Sequence, residues 1–160
     1  MRACGAGATI TPDAIAGMTI GASRAKLERL WGSPDRVRAG AEGTEVATWQ
    51  AAYDGSRPAS YASVVLNSDR VTAMSVELTG TRLHTLRGDR LGTPAATIRR
   101  HWPGARRYRS CCAADVFYLT VRAAREGHVL VFALRRGAGL RSVHLVADRM
   151  FEDCFVHECD

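Results

Sequence analysis

Apolar residues recur along this chain with two periods, and the alternation between them predicts its elements. Leu27, Leu30 and Trp31 fall at i, i+3 and i+4, and Ile98 with Trp102 repeats that face, so each marks a helix two to three turns long. Ser23 is read as the cap of the first helix. Thr93 is read as the cap of the second, with Pro94 in its first turn, where proline's missing N–H costs nothing. Gly32-Ser33-Pro34 and Pro103-Gly104 end the two helices. Runs rich in β-branched and aromatic residues then predict strands over Glu45–Tyr53, Tyr61–Leu66, Val71–Leu78, Val116–Arg122, His128–Leu134 and Leu140–Ala147. Turn clusters at Asn67–Arg70 and Arg135–Gly139 separate them. Ile10–Ile15 reads as a short first helix with Thr11 as cap and Pro12 behind it, Ala39–Gly43 as a flexible loop, and Thr79–Gly88 as a linker.

The pattern repeats. Gly17 to Trp31 returns seventy-one residues later as Gly88 to Trp102, with Gly17 on Gly88, Gly21 on Gly92, Ala25 on Ala96, Arg29 on Arg100 and Trp31 on Trp102. The last strands match as well, Val71, Met74 and Val76 falling on Leu140, Val143 and Leu145. Self-similarity at a fixed offset predicts architecture. The expected fold is α+β: two tandem repeats, residues 1–79 and 80–160, each a helix followed by a three- to four-stranded antiparallel meander, with the helices on one face of the sheet. A unit of about 70 residues has a marginal core, so the two are expected to pack as one. The paired glycines precede helices without following a strand of a βαβ unit. They are therefore read as turn residues with unusual backbone angles, not as a phosphate loop.

Charge changes this picture little. The net charge is +6, but 21 of the 22 basic residues are arginine, the bias of a GC-rich genome. The densest group is Arg99, Arg100, Arg106, Arg107 and Arg109, without a nucleic-acid motif or interleaved aromatics. Binding to nucleic acid or another anionic polymer is kept as an alternative. No apolar run reaches the ~18 residues of a membrane span.

Cysteines bear on compartment. Cys154 and Cys159 lie in a polar tail and read as bridged to Cys111 and Cys112, in a connectivity the sequence leaves open. Cys4 is left over, as a free thiol or a lipidated residue and the one route to a membrane. Met1–Cys4 carries no apolar stretch of a signal peptide, so the extracytoplasmic location favoured by the cysteines assumes a leader absent from this sequence; the alternative is cytoplasmic.

Candidate chemistry is sparse. Cys154-x-x-His157-x-Cys159 with Cys111 or Cys112 would supply zinc donors, but the spacing matches no established finger, and no metal or cofactor is expected. An enzyme or metal protein using the Cys and His of the second repeat is the alternative reading. Surface aromatics carry the preferred one. Trp49 and Tyr53 share parity and fall near Tyr61 at the Asp54 break, and His144 points away from the core if Val143 and Leu145 face it. Trp49, Tyr53, Asp54, Tyr61 and His144 are the protein-contact candidates.

Gly17-Met18-Thr19-Ile20-Gly21 through Leu30-Trp31-Gly32-Ser33-Pro34-Asp35 resembles the signature of small bacterial envelope domains: the β-lactamase inhibitor proteins and the small lipoproteins of outer-membrane β-barrel assembly. The resemblance implies a non-enzymatic secreted or envelope module that binds a protein. It makes Tyr53 and Asp54 counterparts of an aromatic–aspartate pair on the inhibitors' binding hairpin.

Overall fold

Ile10 and Ile15 face each other across the first hairpin, both fully buried, and this sets how the chain starts in the computed structural model. The structure describes residues 8–53, 58–79, 81–110, 113–122 and 127–147, with the backbone alone for 51–53 and 58–61. Thr11-Pro12-Asp13-Ala14 turns between β1 (Thr9–Thr11) and β2 (Ala14–Ile15), and Thr11 Oγ1 donates to the Ala14 carbonyl at 3.4 Å. The first helix expected here is therefore a hairpin: Pro12 and Asp13 favour a tight turn as much as a helix start, and two buried isoleucines five apart fit a hairpin. The expected linker is also structured. It contains β7 (His84–Thr85), which pairs parallel to β1 and completes a small sheet of order β2-β1-β7.

The remaining strands form one antiparallel sheet. They are β3 (Arg36–Ala39), β4 (Glu45–Tyr53), β5 (Pro58–Asn67), β6 (Arg70–Glu77), β8 (Arg106–Arg109), β9 (Val116–Arg122), β10 (His128–Arg135) and β11 (Gly139–Ala147), in the order β3-β4-β5-β6-β11-β10-β9-β8. The helices are short: α1 (Arg24–Trp31) has 8 residues and α2 (Ala95–His101) has 7. The fold class is therefore mostly β, not an α+β pair of helix-plus-meander repeats. Pairing of β6 with β11, Val76 opposite Val143 and Met74 opposite Leu145, makes one eight-stranded sheet, and two-turn helices are too small to form a layer equal to it.

Both helices lie on one face of that sheet. Leu27, Trp31, Ile98 and Trp102 share a buried cluster with Val64, Val76, Leu119, Phe132 and Leu145. Trp31 meets Trp49 edge-on at 5.6 Å, and Trp102 lies 5.8 Å from Phe132. Ser23 caps α1, its hydroxyl accepting from Lys26 N–H at 3.3 Å. Thr93 does not cap α2: its hydroxyl accepts from Arg90 N–H at 2.9 Å, closing the preceding turn, and Pro94 takes the cap position. Gly17, Gly21, Gly88 and Gly92 all have φ between 78° and 83°, the left-handed region in which glycine alone is unstrained. No described helix is long and apolar enough to cross a membrane.

One irregularity recurs in the two halves. The register slips between Val65 and Leu66 on β5 and between Ala133 and Leu134 on β10, leaving Thr72 on β6 and Arg141 on β11 as extra residues. Each bulge resets the alternation. Leu140 and Val143, three apart, both reach the helix-covered core, as do Val71 and Met74.

Candidate functional site

The face of the large sheet away from the helices carries the most varied chemistry. Glu77 on β6, Ser142 on β11, Ala133 on β10, Tyr118 on β9 and Tyr108 on β8 stand opposite one another in register. Their neighbours Val76, Val143, Phe132 and Leu119 point to the core, so this row points the other way. The Arg141 bulge adds a cation beside Ser142. Glu77, Tyr118, Arg141, Ser142 and His144, with Asp115 and Arg135 at the rim, line a groove of about 470 Å³. Tyr118 also packs against a second buried cluster, of Ala73, Val129, Val131 and Val146.

Three features give the groove its electrostatics. Glu77 Oε2 is buried with no hydrogen-bond partner among the described residues, and burial pushes the carboxyl above its usual range although Arg141 opposes the shift. Ser142 Oγ and His144 Nε2 lie 3.1 Å apart, and burial pushes His144 from 6.5 down to about 4. At the rim Arg135 donates to Asp115 at 2.5 Å, which holds that carboxyl below its usual range.

The His144 shift has a pH signature. Folded protein holds fewer protons than unfolded protein between about 4 and 6.5, so this stability is present above 6.5 and lost as pH falls through 4. Glu77 runs oppositely: its folded carboxyl holds its proton longer, and stability is lost as pH rises past the unfolded value. The urea midpoint of the native chain is expected to fall more between pH 7 and pH 4.5 than that of His144→Gln. Equal falls would show that His144 is not desolvated.

Of the predicted contact residues, His144 and Trp49 are the two whose side chains are described. His144 lies on the helix-free face, as alternation requires. Trp49 does not contribute a surface: it is 1% exposed, and its indole N–H donates to the Gly32 carbonyl at 3.1 Å. Tyr53 pairs with Pro58 and Tyr61 with Gln50 along the backbone, while Asp54 lies outside the described residues. So do Cys4, Cys111, Cys112, Cys154, His157 and Cys159, and with them the bridges, the lipid and the cysteine–histidine set. Among the described residues no three His, Cys, Asp or Glu side chains gather as a metal site. The basic group is exposed but divided, with Arg99 and Arg100 on α2 and Arg106, Arg107 and Arg109 on the edge strand β8.

A second polar constellation escaped the sequence reading. Asp89, fully buried, accepts from Thr85 Oγ1 at 2.8 Å and from Trp102 Nε1 at 2.8 Å, and lies 2.7 Å from His101 Nδ1. Thr85 Oγ1 in turn accepts from the backbone N–H of Arg87 and Asp89. The signal was available: at an offset of seventy-one, Met18 falls on Asp89 and Leu30 on His101, so an apolar pair in the first half is a carboxylate and an imidazole in the second. This network fastens β7 and the Gly88 turn to α2.

No known family's profile matches the chain, and no curated protein matches it in sequence. Its fold is similar to parts of solved structures. One is a cysteine-rich secretory protein from Staphylococcus aureus, with a TM-score of 0.59 and 13% identity over 84% of this chain and 46% of that one. Another is an extracellular protein containing a SCP domain from Bacillus anthracis, with a TM-score of 0.53 and 16% identity over 89% of this chain and 48% of that one. The chain thus spans about half the length of the structures it matches. These matches replace the resemblance to the β-lactamase inhibitor proteins and assembly lipoproteins, which are a different fold family. The motif misled because it is local: Gly17, Gly21 and Gly32 hold φ of 78° to 83° and Ser23 caps a helix, requirements that any glycine turn entering a helix imposes.

Proposed function

We propose that the chain is a non-catalytic, extracytoplasmic module that binds another protein through the groove on its helix-free face. The observation that carries this reading is Glu77 Oε2, a buried acceptor on a residue that lines the groove, to which no group among the described residues donates. A partner's amide or hydroxyl would satisfy it, removing a penalty of about 1–3 kcal/mol. Tyr118 supplies an aromatic wall, and Arg141 with the Asp115–Arg135 pair supplies a polar rim, the usual anatomy of a protein contact. The secretory and extracellular descriptions of the similar structures support the location.

Among the described residues, Ser142 with His144 is an arrangement that favours catalysis, as a hydroxyl beside an imidazole. A histidine that protonates only near 4 is a weak base at neutral pH, and the backbone N–H groups around it are committed to strand pairing. Both readings meet one experiment. A photo-crosslinking residue at Ser142, presented to envelope and secreted fractions of the source organism, is expected to give a discrete protein adduct that Glu77→Arg abolishes. A crosslinker at Ala96 on α2 should not give that adduct. Adduct formation indifferent to Glu77→Arg would overturn the groove, and labelling of native Ser142 by a fluorophosphonate would replace binding with acyl transfer.

A further inference from the structure

The surface charge of this protein belongs to one half. Residues 1–79 hold eight basic and eight acidic residues, whereas residues 80–160 hold fourteen arginines against eight acids, of which only Asp89, Asp115 and Glu126 precede residue 148. Of those three, Asp89 is buried within its own network and Asp115 is paired with Arg135. Arg90, Arg99, Arg100, Arg106 and Arg109 are exposed and make no ion pair among the described residues.

The arginines around α2 are also oriented. Ile98 packs inward, leaving Arg99 and Arg100 at the surface. At the C-terminal end of the helix, the Arg87 guanidinium lies 5.3 Å over the Trp102 ring. Arg107 pairs with the core residue Leu119 and so projects on the same side of the sheet as α2; its guanidinium lies 4.5 Å over Phe117. Phe117 lines a second groove of about 270 Å³ with Pro94, Ala95, Leu134, Arg135 and Arg136. Leu86 and Leu91, next to Arg87 and Arg90, are 67% and 42% exposed.

From this geometry we infer that the α2 side is a second interaction surface, one that takes an acidic polypeptide segment carrying apolar side chains. A guanidinium held over an aromatic ring can still present N–H groups outward, which suits a carboxylate received in two parallel hydrogen bonds. Leu86 and Leu91 offer the apolar part of the contact. Single-stranded nucleic acid fits less well, because it needs open aromatic faces for its bases, and Phe117 and Trp102 are already covered by arginine.

Fluorescence anisotropy would test this with three labelled probes: oligoglutamate, a peptide of equal charge with leucines between the glutamates, and oligo-dT. The leucine-bearing peptide is expected to bind most tightly and to weaken steeply with salt. Arg99→Glu with Arg100→Glu is expected to cost about tenfold, and Arg107→Lys several-fold despite its unchanged charge, because lysine cannot present the stacked fork. Glu77→Gln should leave binding unchanged, which separates this surface from the groove on the opposite face. Equal binding by Arg107→Lys and the native chain would reduce the surface to diffuse charge and overturn the inference. Oligo-dT binding as tightly as the leucine-bearing peptide would overturn it in favour of nucleic acid.

Discussion

Replacement of Asp89 by alanine is expected to destabilise the fold by about 3–5 kcal/mol, read as a lower urea midpoint at unchanged slope. The carboxylate is fully buried and serves Thr85, His101 and Trp102 together. Removing it leaves those donors inside the protein without an acceptor and opens a void beside Trp102. Asn at this position should cost less, since its carbonyl oxygen can still accept from Trp102 or Thr85. The sharper test uses the first half as a template. Met18 and Leu30 stand where the second half has Asp89 and His101. Asp89→Met alone leaves the imidazole without its partner, and His101→Leu alone removes one of three contacts to the carboxylate, Thr85 and Trp102 still donating to it. The double variant removes both and should recover about 1–3 kcal/mol relative to the sum of the single changes. Strict additivity would mean that the two groups do not share one interaction.

The second large effect is expected at Gly139. Its φ is 72°, and a Cβ there would stand 2.4 Å from the Gly92 carbonyl oxygen and 2.8 Å from that of Thr93. Neither oxygen can retreat easily, because Leu140 donates to Thr93 at 3.0 Å and accepts from Gly92 at 2.9 Å. Gly139→Ala should therefore cost about 3 kcal/mol, combining a left-handed residue with a backbone collision. Gly92→Ala is the control: φ is 82° but nothing lies within 4 Å of the added carbon, so about 1–2 kcal/mol is expected. Equal losses at the two positions would show that backbone angle alone decides them. Gly21 and Val71 make the corresponding contact in the first half, Gly21 N–H donating to the Val71 carbonyl at 2.7 Å.

What could be read from the residues divides along physical lines. The strands with buried apolar alternation were legible, β4 and β9 to the residue, because one buried face forces period two. The edge strands β3 and β8 were not. Arg36, Arg38, Arg106, Arg107 and Arg109 bury almost nothing, and such strands read as loop or as a charge patch. Trp49 shows the limit of parity: alternation groups it with Tyr53 without telling which face is covered, and the packing of Trp31 against it puts Trp49 in the core rather than on the surface expected for it. The groove rests on register across four strands and on one bulge, neither of which follows from local sequence. Glu77 looks like an ordinary strand-end carboxylate until its neighbours on β11 are known.

The extra residue at each bulge separates two kinds of inheritance. Arg141 occupies no rung of the ladder: with it removed, Leu140, Ser142 and Val143 would still alternate, and every apolar side chain would keep its side. Thr72 stands in the same relation to Val71 and Ala73. These two positions add no apolar side chain to the core, so the side chain that stands there can change while the apolar pattern persists. Chains that share this scaffold can therefore present different chemistry at the groove, and likeness of shape among them need not carry likeness of target.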